Sequence, residues 1–152
     1  MLVDAIFEFL RPAFTLKSVF LQAGAGHFDL ALRAAGYVDR VYAVDAPVPS
    51  DGRRLRQSKI PPNIVRVQKN GTGIPVPDGS VDVAFTAELS ALPAIHRTLA
   101  PGGMCFCVAK SAEAGEMARR SGFSKVRHYA GPVRVPAFLL PLLRSYRIVA
   151  VK

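Results

Sequence analysis

Residues 19–26 read VFLQAGAG, and VYAVD at 41–45 places Asp45 twenty-one positions after Gly24. The stretch from Ser18 to Ala23 is apolar and β-branched enough for a buried strand. A strand that runs into a glycine turn lets a ligand approach the backbone closely. The helix expected next, HFDLALRAAG, offers free N–H groups at the same place and stops at Gly36. The second strand ends at Asp45, where a carboxylate can hold two ribose hydroxyls. Without a ligand, the same segment is a tight strand-to-helix turn, because G-x-G is a short motif.

Outward from this unit the pattern keeps alternating. Leu2, Val3, Ile6, Phe7 and Leu10 recur at helical spacing, so a short amphipathic helix closes before Pro12. Residues 47–62 are rich in proline and form a loop region with room for a short helix around Arg53–Lys59. Ile64, Val65 and Val67 mark a third strand, Val81 to Phe85 a fourth and Met104 to Ala109 a central one. Between the last two, Leu89, Leu92, Ile95 and Leu99 fit one helix face. Ser111 to Ser121 reads as a helix with Ser111 as cap, acids early and arginines late. Lys125–Tyr129 and Tyr146–Val151 are closing strands. Repeated strand, helix, strand argues for a parallel sheet covered on both faces.

The chain has 152 residues, half of them hydrophobic and a fifth charged, which suits one domain with a real core. The expectation is a single domain over 1–152, with 1–17 as an N-terminal helix and lead-in and 18–152 as the core. No apolar run reaches the length of a membrane span. MLVDAIFEFL, with Asp4 and Glu8 and no positive leader, does not read as a secretory signal. Cys105 and Cys107 form neither a disulfide framework nor, alone, a zinc site, so no metal is expected and a reducing cytoplasm is. Their spacing puts both on one strand face, in the core. Twenty Lys and Arg against eleven Asp and Glu leave +9, with −1 on residues 1–46, +4 on 47–80 and +6 on 81–152. That excess favours anionic partners, while a solvated basic surface is the plainer reading.

Three further segments complete a pattern: IPVPDGSVD at 74–82, RTLAPGG at 97–103 before MCFCVAK, and SGFSKVRHY followed by YRIVAVK. In this order and spacing, residues 18 to 152 resemble the class I S-adenosylmethionine-dependent methyltransferases, most of all those acting on small molecules. The resemblance implies a Rossmann-like three-layer α/β sandwich. Its mostly parallel seven-stranded sheet would carry an antiparallel last strand between the fifth and sixth. It implies S-adenosyl-L-methionine as cofactor. Gln22, Ala23, Gly24, Ala25 and Gly26 would form the loop against its methionine part, and Asp45 would hold the ribose, with Ala46 beside the adenine. Asn70 and Gly71 would meet the adenine edge, and Thr86 to Glu88, including Ala87, would close the pocket.

The chain departs from the family pattern in places. Gln22 stands where an acid is usual, Phe28 where many members have a third glycine, and Asn70 where an acid often meets the adenine amine. Uncharged Gln22 attracts an ammonium less, so weaker cofactor binding is expected. Only eleven residues, Glu88 to Thr98, separate the fourth-strand motif from LAPGG, so the acceptor side is thinly built.

Methyl transfer from a sulfonium needs alignment of nucleophile and methyl group, and a general base only if the acceptor must lose a proton. Glu88 is the best-placed base, although a pocket or helix-cap role is the plainer reading of it. His27 stands in the first helical turn after the glycines, His96 on the short helix before Arg97, and His128 on an exposed strand among basic residues. Arg53, Arg54, Arg56 and Lys59 are a basic cluster on a solvated face or flanking the cofactor. The apolar segment 136–143, within VPAFLLPLLRSYR, would sit on a subunit, in a homodimer or against a partner protein, rather than under the sheet edge or on a membrane.

The function expected is methyl transfer to a small-molecule acceptor. A non-catalytic binding or scaffold protein of the same fold is the first alternative. An RNA-directed methyltransferase or RNA-binding module, motivated by charge, is another. A nicotinamide-dependent oxidoreductase lacks its third glycine, because Asp29 stands there.

Overall fold

A computed structural model describes residues 2–24, 28–45, 60–111, 113–130, 133–136 and 146–152. Ala25, Gly26, His27, Ala46, the basic cluster from Arg53 to Lys59 and all but Pro136 of the 136–143 segment lie outside these described residues. Helix α1 (Leu2–Leu10) leads through a short 3-10 turn to β1 (Val19–Ala23), α2 (Phe28–Ala34), β2 (Arg40–Val44), β3 (Ile64–Val67) and β4 (Val81–Thr86). The second half runs α3 (Leu92–Thr98), β5 (Leu99–Ala109), α4 (Ala114–Arg120), β6 (Lys125–Ala130), β7 (Val133–Val135) and β8 (Tyr146–Val151).

One sheet joins all strands in the order β3-β2-β1-β4-β5-β8-β6-β7. Strands β1 to β5 pair in parallel, and β8 inserts antiparallel between β5 and β6, as the resemblance implies. Among the described residues the sheet has eight strands where seven are expected. The addition is β7, a three-residue strand paired antiparallel with β6 at the edge. A hairpin partner this short leaves little sequence signal, because period-2 alternation needs more residues to show.

Alternation along each strand explains the three layers. Phe20, Val83, Phe85 and Phe106 face one side, where Ile6, Phe7, Leu10, Phe28 and Leu30 of α1 and α2 cover them. Leu21, Ala84, Cys105 and Cys107 face the other, under Leu92 and Ile95 of α3 and Ala114 and Ala118 of α4. The cysteines point to the same face with sulfurs 3.7 Å apart, free and buried. Their mutual contact, and after it their burial, push the Cys105 thiol well above its ordinary range.

The segment PDGSVD acts as structure. Asp82 accepts a hydrogen bond at 2.8 Å from the Val19 N–H, so β4 caps the start of β1. Asp78 pairs with Arg97, whose guanidinium also donates to the carbonyls of Ile74 and Val76 at 2.5 and 3.2 Å. Arg97 thereby fastens the loop before β4 to the end of α3.

Some local expectations need correction. The helix around Leu89–Leu99 is shorter: Leu89 lies in a 3-10 turn, and Leu99 already begins β5. Helix α4 starts at Ala114 with Glu113 at the cap position, and the Ser111 hydroxyl accepts a 3.3 Å bond from the Glu113 N–H instead. His128 is buried, not exposed: it alternates onto the face under α4, where Gly115 leaves room for its ring. Among the described residues, no helix is long and apolar enough to cross a membrane.

Candidate functional site

In-phase pairing sets the site. Ala23 lies opposite Val44 on β2 and opposite Thr86 on β4, and Val44 lies opposite Val67 on β3. The residues that follow each strand, Gly24, Asp45, Lys69 and Glu88, therefore gather on one rim at the carboxyl ends of parallel strands. Open α/β sheets bind ligands on that rim, where the strand order reverses between β1 and β4.

Gly24 leaves β1 with φ +63, a left-handed conformation that glycine adopts without penalty. It is also crowded: a β-carbon there would stand 2.3 Å from the carboxyl carbon of Glu88. Asp45 has φ +48 and is the one non-glycine residue with positive φ among those described. Short acidic side chains tolerate this conformation by bonding to nearby backbone. Here Oδ1 of Asp45 accepts the Lys69 N–H at 2.9 Å, and the Asp45 N–H donates to the Val67 carbonyl at 2.9 Å. The Asp45 side chain keeps 41% of its surface exposed, enough to meet a ligand.

Thr86 aims Glu88. Its buried hydroxyl accepts the Glu88 N–H at 2.9 Å and donates to the Glu88 carbonyl at 3.0 Å. The Glu88 side chain makes no cap bond to the following turn, although Glu88 occupies the cap position. It pairs with the Lys69 ammonium, which also stands 4.0 Å from Oδ2 of Asp45. One cation thus bridges the two carboxylates across the mouth of the rim. Sequence reasoning passed over Lys69. The available signal was a lone lysine two positions beyond the strand that neighbours Asp45.

The other expected residues fall as follows. Gln22 and Ala23 are buried at the end of β1, and Ala87 is exposed between Thr86 and Glu88. Asn70 and Gly71 form an exposed turn beyond β3, closed by paired 3.0 Å bonds between Asn70 and Gly73. Asn70 therefore follows directly on Lys69 at the rim. His96 lies away from the rim, edge-on to Phe123 at 5.0 Å between ring centres, and burial lowers its pKa, with the Lys152 charge adding to this. His128 sits under α4, also lowered by burial and then by Arg119.

The donor set suits an adenosyl group. A partly exposed carboxylate at the end of β2 can accept from a ribose diol, and Gly24 brings bare backbone alongside. The fit requires Lys69 to yield part of its position between the acids.

No protein-family model matches the chain, and no curated protein matches it in sequence. Solved structures do match in fold. The chain is similar to the [4+2]-cyclase SpnF, with a TM-score of 0.71 and 17% identity over 98% of this chain and 80% of that one. It is similar to a SAM-dependent methyltransferase from Aquifex aeolicus, with a TM-score of 0.66 and 17% identity over 95% and 88%. It is likewise similar to precorrin 8W decarboxylase from Methanobacterium thermoautotrophicum, with a TM-score of 0.64 and 19% identity over 97% and 89%. The chain has the class I S-adenosylmethionine-dependent methyltransferase fold.

Proposed function

We propose that this protein binds S-adenosyl-L-methionine on the rim of Gly24, Asp45 and Glu88 and transfers its methyl group to a small-molecule acceptor. The observation that carries the reading is the meeting of a left-handed glycine and a half-exposed carboxylate at the ends of adjacent parallel strands. The methyltransferase names among the similar structures support the cofactor.

When bound, the cofactor supplies an electrophilic methyl carbon on a sulfonium. The chain's own work is alignment, which can contribute most of the acceleration in such a displacement. Asp45 orients the ribose, and the Gly24 backbone seats the methionine end with Ala23 and Gln22, a role that this reading extends to Ala25 and Gly26. Asn70, Gly71 and Ala46 flank the adenine. Thr86 and Ala87 set the floor and Glu88 the wall. Glu88 serves as proton acceptor only once Lys69 has released it, because the ammonium occupies the lone pairs that a substrate proton would need. The two free, buried cysteines support a reducing, cytoplasmic setting.

A second reading, a binding or scaffold protein of this fold without methyl transfer, is favoured by the Lys69 bridge, which offsets part of the negative charge on the rim. The names of similar structures include a cyclase and a decarboxylase, so the fold is not tied to one reaction. Calorimetric titration separates these readings in two stages. Saturable heat with S-adenosylmethionine establishes the site, and label transfer from methyl-labelled cofactor to a small-molecule extract establishes turnover. Heat without transfer selects the binding protein. Absence of heat at millimolar ligand leaves only a scaffold role.

A further inference from the structure

The surplus of positive charge is gathered in one part of the chain. From Met117 to Lys152 there are eight Lys and Arg and no Asp or Glu. The closing strands β6, β7 and β8 lie in this stretch, so no carboxylate of their own offsets their charge.

Strand alternation sorts their side chains by face. Val126, His128, Ile148 and Ala150 turn toward α4. Lys125, Arg127 and Tyr129 of β6, with Arg147 and Val149 of β8, turn the other way, where Tyr129 and Val149 join the α1 side of the core. Pairing adds Arg134 to that face. Tyr129 stands opposite Arg134 on β7 and opposite Arg147 on β8. The ring is thus carried between two guanidinium-bearing residues, each on a strand about 5 Å away. Arg127 and Lys125 continue the charge along β6 in steps of about 7 Å. Along the sequence the basic residues show no aromatic interleaving; across the strands they do.

Helix α1 reaches the inner margin of this face. Phe9 meets the Tyr129 ring edge-on at 5.4 Å between centres, and the Arg147 guanidinium lies over Phe9 at 5.0 Å. Tyr129 is held there while remaining partly exposed, and Lys125, Arg127 and Arg134 are exposed. Among the described residues, those three cations enter no ion pair. A sheet face of one sign with a ring set among its cations suits a flexible polyanion, whose phosphates follow the cations while a base stacks on the ring. An anionic membrane asks instead for apolar side chains reaching beyond the charges, whereas the fully exposed side chains of this group are Lys125, Arg127 and Arg134.

We infer that the α1-side face of β6, β7 and β8 docks single-stranded nucleic acid, with Lys125, Arg127, Arg134 and Arg147 meeting phosphates and Tyr129 stacking a base. Strands β5 and β8 lie between β6 and the rim strand β4, and the docking is independent of the reading given for the rim.

Fluorescence anisotropy with a labelled oligouridylate of about 12 nucleotides tests this on the protein without cofactor. Binding should saturate in the micromolar range at low salt and weaken with a log–log salt slope of about −2 to −3, as three or four phosphate contacts imply. The R127A/R134A double variant, altered only at exposed positions, should keep the wild-type melting temperature to within a few degrees. It should weaken binding about tenfold or more and make the slope shallower by about 1. Tyr129→Leu should weaken binding about fivefold or more and leave the slope unchanged, because stacking releases no counterions. K17A/R40A, which removes two charges at the starts of β1 and β2, should change it less than about twofold, since distant charges are screened. Binding insensitive to salt, equal loss in K17A/R40A, a Tyr129→Leu variant that binds like the wild type, or an RNA duplex of the same length bound as tightly would each overturn the inference. So would binding to phosphatidylserine vesicles that needs Arg127 and Arg134 and that the oligomer does not displace.

Discussion

The carboxyl group of Glu88 lies across the backbone of Gly24, so near that a β-carbon at Gly24 would stand 2.4 Å from its Oε1. Two constraints act on that glycine at once: the left-handed backbone and the side chain above it. Gly24→Ala forces both. The collision is relieved by swinging the flexible Glu88 aside, whereas the backbone strain stays and costs about 1–2 kcal/mol. Urea denaturation should show a loss of that size. Calorimetry should show adenosyl binding weakened, because the added methyl group and the shifted Gly24 backbone intrude where the ligand would approach. A variant as stable as the wild type, with unchanged binding, would show that the elbow is not under this constraint.

Lys69 competes for the acids that a cationic cofactor would meet. Lys69→Met keeps the aliphatic stem and removes the charge. The ion pair is partly exposed, so its loss should cost only about 0.5–1 kcal/mol of stability. S-Adenosylmethionine carries a sulfonium, while S-adenosylhomocysteine does not. The variant should therefore bind the first several-fold tighter and improve less for the second, as parallel titrations of the two ligands would reveal. Equal weakening for both would assign Lys69 to ligand binding rather than to competition.

Arg97 joins the PDGSVD loop to α3 through Asp78 and two carbonyls. Arg97→Ala leaves those carbonyls to water or unpaired. Because the side chain is about half exposed, the expected loss is about 1–2 kcal/mol, read from the urea midpoint at unchanged slope. Arg97→Lys should recover part of it. No change in the alanine variant would reduce the contact to surface decoration.

Burial lowers the pKa of both His96 and His128 below the ordinary 6.5. The unfolded chain then binds more protons than the folded one as pH drops below 6.5, so the folded state loses stability on acidification. The contribution is fully present above the unfolded value and falls away through the window beneath it. Denaturation at pH 7.5 and 5.0 should show lower stability at the acid end, and replacing both histidines with glutamine should reduce the difference. A protein that gains stability on acidification in a histidine-dependent way would contradict this.

The sequence made the frame legible wherever the apolar period was long. The alternation in VFLQA, VDVAF and MCFCVA predicts strands covered on both sides, and those strands form the sheet's centre. Edges were harder to read. β7 is too short to carry a period, and His128 looked exposed because its basic neighbours point the other way. At the rim, Gly24 and Asp45 were legible because backbone geometry dictates their residue types. Lys69 was not, since a lysine after a strand is ordinary and only the fold shows which acids it meets.

A crystal structure of the protein with S-adenosylhomocysteine tests the central claim most directly. The account predicts both ribose hydroxyls within about 3 Å of the Asp45 carboxylate, with the Lys69 ammonium withdrawn from its bridge to Glu88. A ligand bound away from the Gly24 turn, or Lys69 still spanning the two acids with the ligand excluded, would contradict it.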